Sequence, residues 1–138
     1  MELRAKSLSE KIIGAAIEVH RHLGPGLLES AYEVCLEHEF RSLRLDYLRQ
    51  KPLPLTYKGC LLESAYRLDF VVDGTVLVEL KSVAGLEPIH EAQMLTYLRL
   101  SGLPVGLLIN FNVPLLRHGI KRFINADSNS SVLSAPPR

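Results

Sequence analysis

The chain has 138 residues, 47% of them hydrophobic, with a formal net charge of +1. A chain of this length buries about two thirds of the surface its unfolded form exposes, so it reads as one self-sufficient domain that needs no staple to fold. The near balance of charge argues against a protein that grips long duplexes over its whole surface, because each neutralised phosphate calls for a basic group. Any basic surface must be local, and Arg41, Arg44, Arg49 and Lys51, or Lys121 and Arg122, are the candidates. Cys35 and Cys60 show no metal-binding or redox spacing and are expected to be buried thiols in a reducing cytoplasm. No apolar signal-type segment opens the chain and no run of about 18 apolar residues occurs, which predicts a soluble protein that is neither exported nor inserted in a membrane.

In chain order, Ile12, Ile13, Ala16, Ile17, Val19 and Leu23 recur near the helical period, predicting a first helix over 8–23 with Ser9 as N-cap and Gly24-Pro25-Gly26 as its stop. His20 decorates that helix. A second helix runs from Leu27 to about Leu45 on a stripe of Leu28, Ala31, Tyr32, Cys35, Leu36 and Phe40, with Glu29 in its first turn, where the macrodipole favours an acid. Residues 48–57 alternate and carry Pro52 and Pro54, each of which deletes a ladder donor, so this is an edge strand. Lys58-Gly59 makes a turn, and strands over 65–72 and 76–83 follow, joined at Asp73-Gly74. A third helix spans 86–101, with Glu87-Pro88 at its start and Gly102 beyond its end. His90, Gln93 and Tyr97 form a polar ridge along it. Residues 104–111 are a continuous apolar run, the pattern of a strand buried on both faces and lying centrally. A last strand covers 118–124 with Lys121 and Arg122 exposed, and from Ala126 the chain is polar and Pro/Ser-rich, which predicts a mobile tail. The domain is thus expected over 1–125 and the tail over 126–138. The element order describes a mixed sheet flanked by helices.

The hairpin at Asp73-Gly74 holds Asp69 on one strand and Glu79 and Lys81 on the next. A plain two-residue loop would pair Val72 with Thr75 and Asp69 with Val78, sending Asp69 and Glu79 to opposite faces. A loop one residue longer, with Gly74 in the left-handed region, brings both acids to one face. Glu79 and Lys81, two apart, share a face in either register.

Buried carboxylates and ammonium groups are expensive unless paired or metal-bound, so two explanations compete. One is a structural salt bridge from Lys81 to Asp69 or Glu79. The other is a divalent-cation site, in which two acids on adjacent strands and the Leu80 carbonyl bind a metal that keeps waters and a substrate phosphate, with Lys81 beside the scissile bond.

Asp69 followed at hairpin distance by Glu79-Leu80-Lys81 resembles the PD-(D/E)XK phosphodiesterase superfamily, with Leu68 where its loosely kept proline would stand. Gly26, Glu29 and Tyr32 match the GxxExxY motif that names a small bacterial branch of that superfamily, and residues 20–26 are similar to that branch as well. The resemblance covers about Ile12 to Ile124. It implies a restriction-endonuclease-like α+β fold and a nuclease dependent on Mg²⁺, with Mn²⁺ as a substitute. Asp69, Glu79, the Leu80 carbonyl and Glu29 would hold the metal, and Lys81 would be the catalytic lysine. Gln93 and Tyr97 look like the Gln-x-x-x-Tyr motif of RecB-type nucleases, and His20 and Tyr32 would support the site. The implied partner is nucleic acid, DNA before RNA; separately, so small a domain with one local basic strip is expected to need a second copy, a homodimer, to hold a duplex. A catalytically weak or inactive binding module on the same fold, and a structural homodimer with an ordinary salt bridge, are the competing readings.

Overall fold

The computed structural model describes residues 2–126. Of the tail expected over 126–138, all but Ala126 lies outside the described residues. Helix α1 spans Glu2–Leu23, α2 Glu29–Ser42 and α3 Pro88–Ser101; the strands are β1 Tyr47–Tyr57, β2 Cys60–Val72, β3 Val76–Lys81, β4 Val105–Asn110 and β5 Ile120–Ile124. They form one five-stranded sheet in the order β1-β2-β3-β4-β5, antiparallel except for β3 and β4, which run parallel through the α3 crossover. This is a mixed α+β architecture of the restriction-endonuclease-like type. No described helix is long and apolar enough to cross a membrane.

The first helix begins a turn and a half before its expected start. Ala5 and Leu8 extend the buried stripe of Ile12, Ala16 and Val19 backwards, and burial of that stripe outweighs the local preference of Ser9 for a cap. Ser9 is buried in the helix interior, and its hydroxyl finds no partner among the described residues. Helix α2 starts later and stops earlier than its apolar pattern suggested: Leu28 stays outside it as an exposed N-cap, and Arg44 turns left-handed (φ 57°) just beyond its end. Cys35 is half-buried and Cys60 is exposed at the β1–β2 turn, where two-stranded ribbon rather than core surrounds it, so neither is the buried thiol expected; both are free.

Helices α1 and α2 cover one face of the sheet, packing Ile12, Tyr32, Leu36 and Phe40 against Phe70, Val78, Leu107 and Phe111. Helix α3 covers the other with Met94 and Leu98 against Leu77 and Leu108. Strand β4 is buried throughout, as its unbroken apolar run requires, and is interior to the sheet between β3 and β5.

The β2–β3 loop fixes the geometry that follows. Val72 pairs with Val76, leaving Asp73, Gly74 and Thr75 as a three-residue loop. Asp73 (φ 52°) and Gly74 (φ 61°) are both left-handed. The Thr75 amide returns to the Val72 carbonyl at 3.0 Å, and Arg4 from α1 pairs with the Asp73 carboxylate. With this register Asp69 falls opposite Glu79.

The sheet then opens at that level. Paired residues of β2 and β3 end at Phe70–Val78. Phe70 packs toward α1 and α2, yet Leu68, two residues earlier, packs toward α3. Alternation is therefore broken at Asp69. Strand β1 breaks with it, since Tyr47 belongs to the α1–α2 side and Leu53 to the α3 side, and Gln50 between them has φ 54°. The β1–β2 ribbon thus rolls over at Gln50 and Asp69, and residues 60–67 of β2 run on exposed beyond the sheet.

Replacing Gly74 by valine forces a β-branched residue into the left-handed region. The expected result is a loss of about 1–2 kcal/mol, read as a lower urea midpoint at unchanged slope; an unshifted midpoint would contradict the loop geometry.

Candidate active site

Where β2 peels away from β3, side chains replace the missing ladder. Leu80 N–H donates to Asp69 Oδ2 at 2.8 Å, and Asp69 N–H donates to Glu79 Oε2 at 2.8 Å. Each acid thus caps a backbone donor of the other's strand. Glu79 is only 5% exposed. Because the N–H and C=O of a strand residue point to the same side, the Leu80 carbonyl also faces this gap.

Lys81, half-buried, makes no ion pair among the described residues. Its Nζ donates to Gln93 Oε1 at 3.1 Å, and Gln93 Nε2 donates to Tyr97 Oη at 3.1 Å, so the polar ridge of α3 is aimed at the lysine. The simple salt bridge from Lys81 to Asp69 or Glu79 is therefore not what holds this cluster together. His90, the first residue of the expected ridge, is used differently: its Nδ1 accepts the Glu87 N–H at 2.9 Å and caps the helix start.

Burial pushes both carboxyls up. Asp69 rises to about 6, chiefly by desolvation, with Glu33 and Glu29 adding repulsion and the Leu80 N–H and Gln50 opposing it. Glu79 rises to about 8, chiefly by desolvation and then by the Asp69 charge, against the Asp69 N–H and Lys81. At neutral pH the pair carries close to one negative charge. Burial also raises Tyr97, followed by the repulsion of Glu79.

Glu29 and Glu33, one turn apart on α2, share a face. Glu29 is exposed and reaches Asp69 through its field alone. Glu33 is the acid that sequence reasoning missed. It is buried and takes Arg49 Nε at 2.6 Å and Gln50 Nε2 at 2.9 and 3.0 Å, and Gln50 Nε2 also lies 3.3 Å from Asp69 Oδ1. Its spacing of four from Glu29 was the available signal.

Tyr32 and His20 support loops. Tyr32 Oη donates to the Gly24 carbonyl at 2.6 Å and accepts the Leu27 N–H at 3.2 Å, closing the Gly24-Pro25-Gly26 turn, while its ring stacks on Phe111 at 4.3 Å. His20 Nε2 lies 2.8 Å from the Val113 carbonyl and is committed to that loop rather than to the acids. Asn110, also unforeseen, clamps the segment after Lys81 by taking the Val83 N–H and donating to the Val83 carbonyl.

A family model described as the PD-(D/E)XK nuclease superfamily matches residues 6–123. The chain belongs to that superfamily. The match supports a nuclease-type function on a nucleic-acid substrate, and members of the superfamily generally use divalent metal ions. Neither the comparison with curated proteins nor that with solved structures returns a match.

The donors fit such an ion in part. Among the described residues no three His, Cys, Asp or Glu side chains converge as a ready-made cage. Asp69, Glu79 and the Leu80 carbonyl instead present two carboxylates and one neutral oxygen, the kind of set a hard cation takes when it keeps several waters.

Two outcomes follow. The folded protein holds protons on Asp69 and Glu79 that the unfolded chain releases near pH 4, so the stability they contribute is complete below that pH and is lost as pH rises through about 6 and then about 8. In chelator, melting is expected to fall by ~4 °C or more between about pH 5.5 and 8.5, and Glu79→Gln is expected to flatten that fall; equal slopes would refute it. Tyr32→Phe is expected to lose about 1–2 kcal/mol of stability by unclosing the turn while leaving metal affinity unchanged in titration calorimetry.

Proposed function

We propose that this protein is a cytoplasmic, Mg²⁺-dependent nuclease that hydrolyses phosphodiester bonds, with DNA as the favoured substrate, and that it is a member of the bacterial GxxExxY branch of its superfamily. The observation that carries this reading is the pairing of Asp69 with Glu79 across an opened strand junction, with Lys81 two residues on and held by Gln93 instead of by either acid. A lysine kept out of an ion pair leaves its remaining N–H donors open to a substrate.

Asp69, Glu79 and the Leu80 carbonyl would hold the Mg²⁺, and Glu29 at the rim would contact it through water. The bound ion would lower the pKa of a water and neutralise phosphate charge. Lys81 places its ammonium toward the reacting phosphoryl group and stabilises the charge that grows there. Gln93 fixes the direction of that ammonium by accepting a hydrogen bond from it, and Tyr97 fixes the Gln93 carboxamide in turn. A groove of about 360 Å³ leads away from Gln93 and Tyr97 between the ribbon and α3, with the Tyr66 ring for stacking and Arg99 for a phosphate.

Much of the expected basic surface is neutralised: Arg49 pairs with Glu33 and Glu37, Arg41 with Glu37, and Lys121 with Glu91. A single copy of the 1–125 domain therefore offers little grip on a duplex, which favours action as a homodimer. The lack of a third converging acid among the described residues favours a second reading, a catalytically weak nuclease-fold binding module.

Linear, nicked and single-stranded DNA and RNA, each incubated with Mg²⁺ or Mn²⁺, separate the two. The nuclease reading expects cleavage of at least one DNA substrate and a fall of about 10²–10³-fold in kcat for Lys81→Ala. No cleavage, or cleavage that survives Lys81→Ala, leaves the binding module.

A further inference from the structure

We propose that Gln50 is a positioning residue, whose carboxamide, anchored on Glu33, holds the Asp69 carboxylate in the orientation a divalent cation requires. The proposal rests on the reading of Asp69 and Glu79 as a cation site.

Gln50 lies inside β1, where Arg49–Phe70 and Lys51–Leu68 pair on either side and leave it facing Asp69. Its φ of 54° is one that a long L side chain rarely adopts, so the surroundings must over-determine it. They do so from three directions. Arg67 donates to the Gln50 carbonyl at 3.3 Å; Gln50 Nε2 donates to both Glu33 oxygens at 2.9 and 3.0 Å and reaches Asp69 Oδ1 at 3.3 Å; and Arg49 Nε holds Glu33 at 2.6 Å. With Leu80 N–H on Oδ2, each oxygen of Asp69 has one donor, and the carboxylate plane is set.

The chemistry of the donor matters. A lysine or arginine in this place would orient Asp69 equally well but would cancel the negative charge that attracts a cation. An amide orients without neutralising and leaves lone pairs on both oxygens for a metal. Glu33 then acts through Gln50, as an acceptor that holds the amide, rather than as a ligand.

Mn²⁺ binding to the full chain by titration calorimetry tests this. Gln50→Gly accepts the left-handed backbone and deletes the amide; it is expected to fold and melt cooperatively and to bind Mn²⁺ about 10–100-fold more weakly. Gln50→Asn, tolerant of that backbone but too short to reach Asp69, should show the same loss and decides the matter if the glycine variant fails to fold. Glu33→Gln keeps one of the two acceptor oxygens and should lose less Mn²⁺ affinity than Glu33→Ala does. Glu33→Ala should lose as much as Gln50→Gly, and the double variant no more, because both cut one chain of contacts. Wild-type affinity in the folded Gln50 variants, or losses that add, would overturn the positioning role while leaving the cation site. A folded wild type that binds no Mn²⁺ would remove the cation site and, with it, this role.

Discussion

Everything in this molecule is arranged around one exchange: the Asp69 carboxylate receives the Leu80 N–H, and the Glu79 carboxylate receives the Asp69 N–H. Two acids side by side in a buried place repel each other and lose hydration, and both effects favour the protonated forms. Backbone donors offset part of that penalty without bringing in a cation. The rest is borne by the two helical layers, which press on opposite faces of the sheet and keep the strands where the exchange is possible. A neighbouring ammonium in direct contact would have been the cheaper solution. Lys81 is instead turned to Gln93, so the fold sustains a carboxyl pair with no cation in direct contact, beside a lysine that remains available.

Around this exchange, several residues work on the backbone rather than at the acids. Tyr32 closes the turn before α2, and Ser82 donates to the Leu27 carbonyl, tying that turn to the residue after Lys81. Asn110 grips the same segment from β4, and Phe111 N–H donates to the Lys81 carbonyl at 2.9 Å. Lys81 is thereby fixed along its backbone while its long side chain is steered by α3. The short α2 motif thus divides into two roles: Glu29 contributes field at the rim, and Tyr32 contributes geometry.

What the sequence could tell followed from strict periods. Side chains on a strand alternate, so requiring Asp69 and Glu79 to share a face demanded an odd loop, and the three residues Asp73 to Thr75 satisfy it. The unbroken apolar run of β4 and the Gln93–Tyr97 spacing carried equally direct signals. Glu33 and Gln50 did not, because their meeting depends on a left-handed residue of a type with no preference for that region and on the docking of α2 beside β1. The same limit hid the fate of the basic residues: Arg49 and Lys121 are matched by acids 16 and 30 positions away, which no local pattern reveals. Ser9 failed as a cap for the opposite reason, since a local preference was overruled by a longer apolar stripe.

The outer strand β1 carries Pro52 and Pro54, and its pairing with β2 slips between Leu53 and Leu55. Without those donors, and with its course kinked, this border is closed to growth by strand addition. The opposite border, β5, is five residues long and bears Lys121 and Arg122 outward. Contact with another chain through a continued sheet is thereby left to the short β5 border, and the exposed ribbon of β1 and β2 stays outside any such sheet.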